Sequence, residues 1–118
     1  VQSRNDFWKV EEIDKLDETS NEKFSIAVKV GKIYARFQAN GVSLMGFIGG
    51  DKTGVINCVC RRLNFITEGS VVLLKDCKVH LRDGKRQIQP HGKNSIKETT
   101  YRIQKVNLDN NISEKNVK

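Results

Sequence analysis

The side chains of this 118-residue chain that can do chemistry are three cysteines, two histidines and an excess of cations. A zinc site would have to be drawn from Cys58, Cys60, Cys77, His80 and His91. Their spacing, Cys-x-Cys and then Cys-x-x-His, is not a zinc pattern. On a strand Cys58 and Cys60 fall on the side of Ile56, and cysteine is among the most buried residue types, so they read as core. Gly46 to Thr53 reads Gly-Phe-Ile-Gly-Gly-Asp-Lys-Thr, near a phosphate-binding P-loop. Asp51 stands where that loop needs the glycine before its lysine, and no helix follows, so the P-loop reading fails. No nucleophile–base pair stands out. The expectation is a non-enzyme with no cofactor, no metal and no small-molecule substrate.

The cations are unevenly placed. Residues 1–23 hold four Lys/Arg against seven Asp/Glu, and residues 24–118 hold seventeen against seven, within an overall net charge of +7. The stretch 75–97 carries seven basic and two acidic residues. A basic body behind an acidic leader points to a polyanionic partner, most often nucleic acid; a merely soluble basic domain is the plainer alternative. Three cysteines cannot all pair and no Cys-x-x-Cys occurs, which points to a reducing, intracellular compartment. Asn111-Ile112-Ser113 fits a glycosylation sequon, but nothing else suggests secretion. The opening Val-Gln-Ser-Arg-Asn-Asp has no apolar h-region, so no signal peptide is expected, and no run approaches the ~20 apolar residues of a membrane helix.

The elements that must position these residues are short and alternating. Val10, Ile13 and Leu16 suit either a short helix or a strand and turn, and the 1–23 leader then runs through a polar connection from Asp17 to Lys23. Phe24, Ile26, Val28 and Val30 share one side of a strand that Gly31 interrupts and Lys32 to Phe37 resumes; such a glycine marks a bulge or bend. An Asn40-Gly41 turn leads to a strand from Val42 to Ile48, and a second turn over Gly49–Gly54 to Val55–Cys60. Arg61 to Ser70 breaks the pattern, with room for one helical turn. Val71 to Leu81, a turn over Arg82–Lys85 and Arg86 to Pro90 complete five strands. Ile96 to Val106 reads as an extended edge, and polar, Asn-rich 107–118 as frayed, so the 99–118 extension is partly disordered. The sum is an all-β protein: a five-stranded Greek-key barrel of the OB type over residues 24–98, with short extra elements at both termini.

Gly50-Asp51-Lys52-Thr53-Gly54-Val55-Ile56 resembles the Asp-x-Thr-Gly hairpin of single-stranded-DNA-binding OB domains, those of replication protein A and of the SOSS (sensor of single-stranded DNA) complex. Val10-x-x-Ile13, Gly31-Lys32-Ile33 and Glu68-Gly69-Ser70-Val71-Val72 sit at that family's spacing, and the resemblance covers about residues 8–98. It implies base stacking on aromatic side chains of the barrel face. Here the matching positions carry Arg61, Lys78, Arg82 and Gln89, none of them aromatic. Three readings stay open: electrostatic binding, transfer of the aromatic role to Tyr34, Phe37 or Phe47, or a face that no longer binds nucleic acid.

The candidate nucleic-acid residues are Tyr34, Arg36, Arg61, Arg62, Lys78, His80, Arg82, Lys85, Arg86 and Gln89. Alternation sends Cys77, Val79 and Leu81 one way and Lys78, His80 and Arg82 the other, where three donors can follow a phosphate backbone. If Ile33, Ala35 and Phe37 point inward, Tyr34 and Arg36 face the ligand and Phe37 is core. Met45 and Phe47 share one side of their strand, Leu44 and Ile48 the other, and either side can be core. Candidate protein-interface residues are Phe7, Trp8, Ile96, Ile103 and Val106, Trp8 and Phe7 also being fit to plug one barrel end. The function expected is single-stranded nucleic-acid binding, to DNA before RNA, in replication, repair or telomere maintenance in the nucleus. The alternative is a small structural subunit of an OB-fold complex. Other subunits are expected as partners in either case, and a membrane in neither.

Overall fold

The computed structural model describes residues 8–15, 23–90, 95–99 and 102–114. Phe7, His91 and the 16–22 connection lie outside them. The described residues form six strands: β1 (Phe24–Ala39), β2 (Val42–Asp51), β3 (Gly54–Arg61), β4 (Val71–Arg82), β5 (Lys85–Pro90) and the short β6 (Ile96–Glu98). Their order is β1-β2-β3-β5-β4, and an added β1–β4 pairing closes the sheet into a barrel. All pairings are antiparallel except β3–β5, which is parallel and spans only Asn57↔Gln87 and Cys58↔Ile88. β6 continues along β4 at Val72–Leu74, short of where β5 pairs at Cys77–Arg82.

Sequence explains the local geometry. Asn40 (φ 54°) with Gly41 and Asp83 (φ 54°) with Gly84 (φ 78°) put two consecutive residues in the left-handed region, the requirement of a tight hairpin. β1 serves two neighbours. Its first half pairs with β4 as far as Lys29↔Val71, and from Lys29 onward it pairs with β2. Register slips after Val30 and after Ile33 absorb the turn between the two.

The core follows the alternation of the strands. Ile26, Val28 and Val30 from β1, Met45 and Phe47 from β2, and Ile56 and Cys58 from β3 are buried together with Val72, Leu74 and Ile88. Met45 and Phe47 therefore form the inner side of β2, which excludes Phe47 as a stacking platform. A 3-10 helix over Val10–Lys15 adds Val10 and Ile13. The Asp-Lys-Thr-Gly hairpin holds it. Asp51 Oδ1 accepts from the Thr53 N–H (2.8 Å), Oδ2 accepts from the Val10 N–H (3.0 Å), and Thr53 Oγ1 accepts from the Glu11 N–H (3.0 Å). The feature that resembles the DNA-binding family is thus a structural clamp here.

Residues 107–114 differ from the frayed segment that the composition of 107–118 suggests, while 115–118 lie outside the described residues. Val106 packs on Gly50, where an added Cβ would lie 2.6 Å from Val106 Cγ1. The Val55 N–H donates to the Asn110 carbonyl (2.9 Å), and the Asn107 N–H to the Asp51 carbonyl (3.0 Å). Ile112 and Ser113, in a final 3-10 turn (Ile112–Glu114), are fully buried. The tail fills the gap left by the short β3–β5 ladder. The Ser113 hydroxyl accepts from the Asn57 N–H (2.9 Å) and donates to the Arg86 carbonyl. Polar residues order here because the barrel offers unpaired backbone groups that would otherwise be buried without partners.

Ser113→Ala removes a partner from both strands at once. It should destabilise the fold by about 1–3 kcal/mol, read as a lower urea midpoint with an unchanged slope; an unchanged midpoint would show that the tail does not seal the barrel.

Candidate nucleic-acid interface

Strand β2 turns Gly46 outward, between inward Met45 and Phe47. Gly46 pairs with Ala35 on one side and Val59 on the other. The slip between Ile33 and Ala35 leaves Tyr34 as an extra residue in β1. Tyr34 consequently lies on the same outer side as Ala35, and its ring covers Gly46: a Cβ there would be 3.1 Å from Cε1, Cζ and Oη. The Glu68 carboxylate pins the turn by accepting from the Ile33 N–H (3.0 Å).

A cleft of about 380 Å³ opens on this face, lined by Tyr34, Ala35, Phe37, Gly46, Asn57, Val59, Arg82, Asp83, Lys85 and Gln87. The β1–β2 hairpin forms one wall and the β4–β5 turn the other. Tyr34 is 46% and Phe37 38% exposed, two of three large apolar side chains so placed among the described residues. Asn57 and Gln87, paired across the β3–β5 ladder, put two amides on the floor. Partial burial raises the Tyr34 pKa, Cys58 adds to the rise and the Arg82 guanidinium opposes it, so the phenol stays a neutral donor at pH 7.

The residues singled out by alternation divide. Tyr34, Arg82 and Lys85 line the cleft. Arg61 is exposed at the end of β3 and shares the outer side with Leu44 and Phe37 through the register; Arg62 follows it, its N–H donating to the Ser43 carbonyl (3.1 Å). Lys78 faces Gln89 and His80 faces Gln87 on the outer side of β4 and β5; Gln87 is buried and the other three are partly covered.

Three assignments are corrected. Phe37 is not core but cleft wall. Arg36 pairs with inward Met45, so it turns away from the cleft. Both reversals come from the bulge, which shifts the alternation by one. Arg86 is only 6% exposed: its partner Leu81 lies on the side of Cys77 and Val79, so it is unavailable to a ligand on the outer face. Asn57 and Val59 carry a signal that strand alternation contained, opposite Ile56 and Cys58. Phe37 is a candidate for the aromatic role that the phase of Ile33 reads as core, and the slip before Ala35 is what turns it outward.

The apolar candidates for an interface are spent largely within the chain. Trp8 stacks on Phe24 at 5.3 Å between ring centroids, and Ile96 packs against the core. Trp8 and Ile103 both line a separate cavity of about 570 Å³, together with Lys9, Asp51, Lys52, Arg102 and Lys105.

The three cysteines are buried free thiols. Burial pushes Cys60 up to about 12 and raises Cys58 and Cys77 strongly. Thiols held protonated in this way are poor metal ligands. No group of three His, Cys, Asp or Glu is placed to hold a metal among the described residues.

The barrel is an OB fold. It superposes on the solution structure of a hypothetical protein from Arabidopsis thaliana with a TM-score of 0.76 at 19% identity, over 100% of this chain and 90% of that one. It matches an OB domain from Thermoplasma acidophilum (TM-score 0.64, 14% identity, 86% and 93% covered). It also matches the second OB-fold domain of replication protein A from Methanococcus maripaludis (0.55, 18%, 78% and 96%). No family model and no curated protein sequence matches the chain.

Two outcomes check this geometry. Gly46→Val should push the Tyr34 ring off the strand at a cost of about 1 kcal/mol, with amide shift changes centred on Tyr34, Ala35 and Val59; unperturbed Tyr34 resonances would contradict the stacking. The thiols set a pH dependence. Above the unfolded-chain cysteine value of about 8.5 the unfolded state loses protons that the folded state keeps, so stability falls as pH rises, by on the order of 1.4 kcal/mol per thiol per pH unit. Denaturation midpoints between about pH 7 and 10 measure it, and Cys77→Ala should remove one thiol's share of the slope.

Proposed function

We propose that the protein binds single-stranded nucleic acid in the cleft between the β1–β2 hairpin and the β4–β5 turn. The observation that carries this reading is the pairing of two exposed rings, Tyr34 and Phe37, with Arg82 and Lys85 across one groove. Bases stack on aromatic faces while cations neutralise phosphates, and the two together suit a flexible single strand better than a duplex. The β2–β3 face and its flanking loops are where OB barrels commonly take oligonucleotides. Arg61 and Lys78, at outward register positions of β3 and β4, extend the cationic surface, with Arg62 next in the chain. The aromatic positions lost at Arg61, Lys78, Arg82 and Gln89 are in this reading replaced from β1. A role in DNA replication, repair or telomere maintenance, in the nucleus, is the setting we propose for it.

A second reading has its own support. The cavity lined by Trp8, Ala27 and Ile103 also carries four cations against one carboxylate, Asp51, which suits an acidic segment of a partner subunit in a larger OB-fold complex. The two roles use separate surfaces.

Fluorescence anisotropy of labelled single-stranded DNA, single-stranded RNA and duplex oligonucleotides tests the first reading. Single strands should bind more tightly than the duplex. Tyr34→Ala should cost about 1–3 kcal/mol, the value of one stacked base, and Arg82→Ala should weaken binding and flatten its salt dependence. Equal affinity for the duplex, or a Tyr34→Ala variant that binds like the parent, would defeat the assignment.

A further inference from the structure

Lys85, one of the two cations on the cleft wall, already has an anion. Its Nζ lies 3.0 Å from Glu114 Oε2, with both side chains about half exposed. Most such surface pairs involve two wandering side chains and matter little. This one differs because the backbone of Glu114 is fixed. Its N–H donates to the Asn111 carbonyl (3.2 Å), and the residue before it, Ser113, is fully buried. The Ser113 hydroxyl ties the tail to Asn57, which is cleft floor, and to Arg86, the neighbour of Lys85. The tail that seals the β3–β5 gap therefore also delivers a carboxylate to one lysine of the groove.

We propose that Glu114 is an internal competitor for phosphate at Lys85, so that the C-terminal tail sets the affinity of the cleft. The inference rests on the nucleic-acid reading of that cleft. A carboxylate and a phosphate both take charge-assisted hydrogen bonds from an ammonium group. A lysine held by Glu114 neutralises no phosphate and so displaces none of the counterions condensed on the strand, and the carboxylate repels the incoming charge. The pair thus lowers both the affinity and the salt slope that Lys85 would otherwise contribute. Glu114 touches no ligand in this scheme; it acts through Lys85.

The test is a double-mutant cycle on the full chain, with a fluorescein-labelled oligothymidylate as probe, titrated between about 50 and 200 mM salt. Glu114→Gln keeps the shape and removes the charge. It should bind about two- to fivefold more tightly at low salt, the scale of an exposed ion pair, and steepen the log–log salt slope by about 0.7, one phosphate contact on a single strand. Lys85→Ala should bind less tightly than the parent, and adding Glu114→Gln to it should change nothing further. Thermal melting of each variant checks that the tail stays docked. A Glu114→Gln variant that binds like the parent overturns the proposal, as does a gain that survives undiminished without Lys85, which would assign it to net charge alone. If none of the four proteins holds the probe, the nucleic-acid reading falls and the competitor role with it, an outcome distinct from binding that ignores Glu114.

Discussion

The barrel closes because one strand serves two neighbours. β1 pairs with β4 through its first half and with β2 through its second, and no straight strand can lie against both. The bend is taken up by register slips around Gly31 and Tyr34, in a strand of 16 residues, long for a small barrel. The face that carries the cleft follows from that bend. The slip before Ala35 brings Tyr34 to the outer side and carries Phe37 with it, and the Glu68 carboxylate fixes the backbone at Ile33. The ring of Tyr34 then needs a partner position without a side chain, which Gly46 supplies. Closure of the core and exposure of two aromatic rings are one geometric event.

A second constraint is the short contact between β3 and β5. Parallel pairing over two residues leaves backbone groups of Val55, Asn57 and Arg86 facing a gap. The tail satisfies all three, through Asn110 and Ser113, and drops Ile112 into the core. The same docking places Glu114 at the cleft. The segment that seals the barrel is thus also the one that pairs with Lys85, so the proposed control of ligand affinity would be coupled to stability at this end of the molecule.

The Asp51–Gly54 hairpin shows why a motif is not a site. Its carboxylate and hydroxyl are occupied by the hairpin itself and by the first turn of the N-terminal 3-10 helix. The residues that carry the resemblance to single-stranded-DNA-binding OB domains here hold the N-terminal 3-10 helix to the barrel. The groups free to meet a ligand, Tyr34 and Phe37, lie outside the positions where that family stacks bases.

Five strands, the two hairpin turns at Asn40-Gly41 and Asp83-Gly84, and the inward faces of β3 and of β4 from Cys77 onward, though not of its earlier half, which buries Val72 and Leu74 of the opposite parity, could be read from the order of residues alone. The reason is that side-chain alternation and left-handed turn residues are local properties. Cys58, Cys60 and Cys77 were legible as core on the same ground. The rest depends on contacts between segments far apart in the chain. Which side of β2 is buried depends on what packs against it. Phe37 changes from core to cleft and Arg36 from cleft to the far side because a bulge, forced by barrel closure, shifts the alternation by one residue. Arg86 is buried by its register with Leu81. The tail has one fully buried apolar residue, Ile112, among polar neighbours, too few for any period. It orders because distant strands leave backbone donors and acceptors that only a further segment can pair.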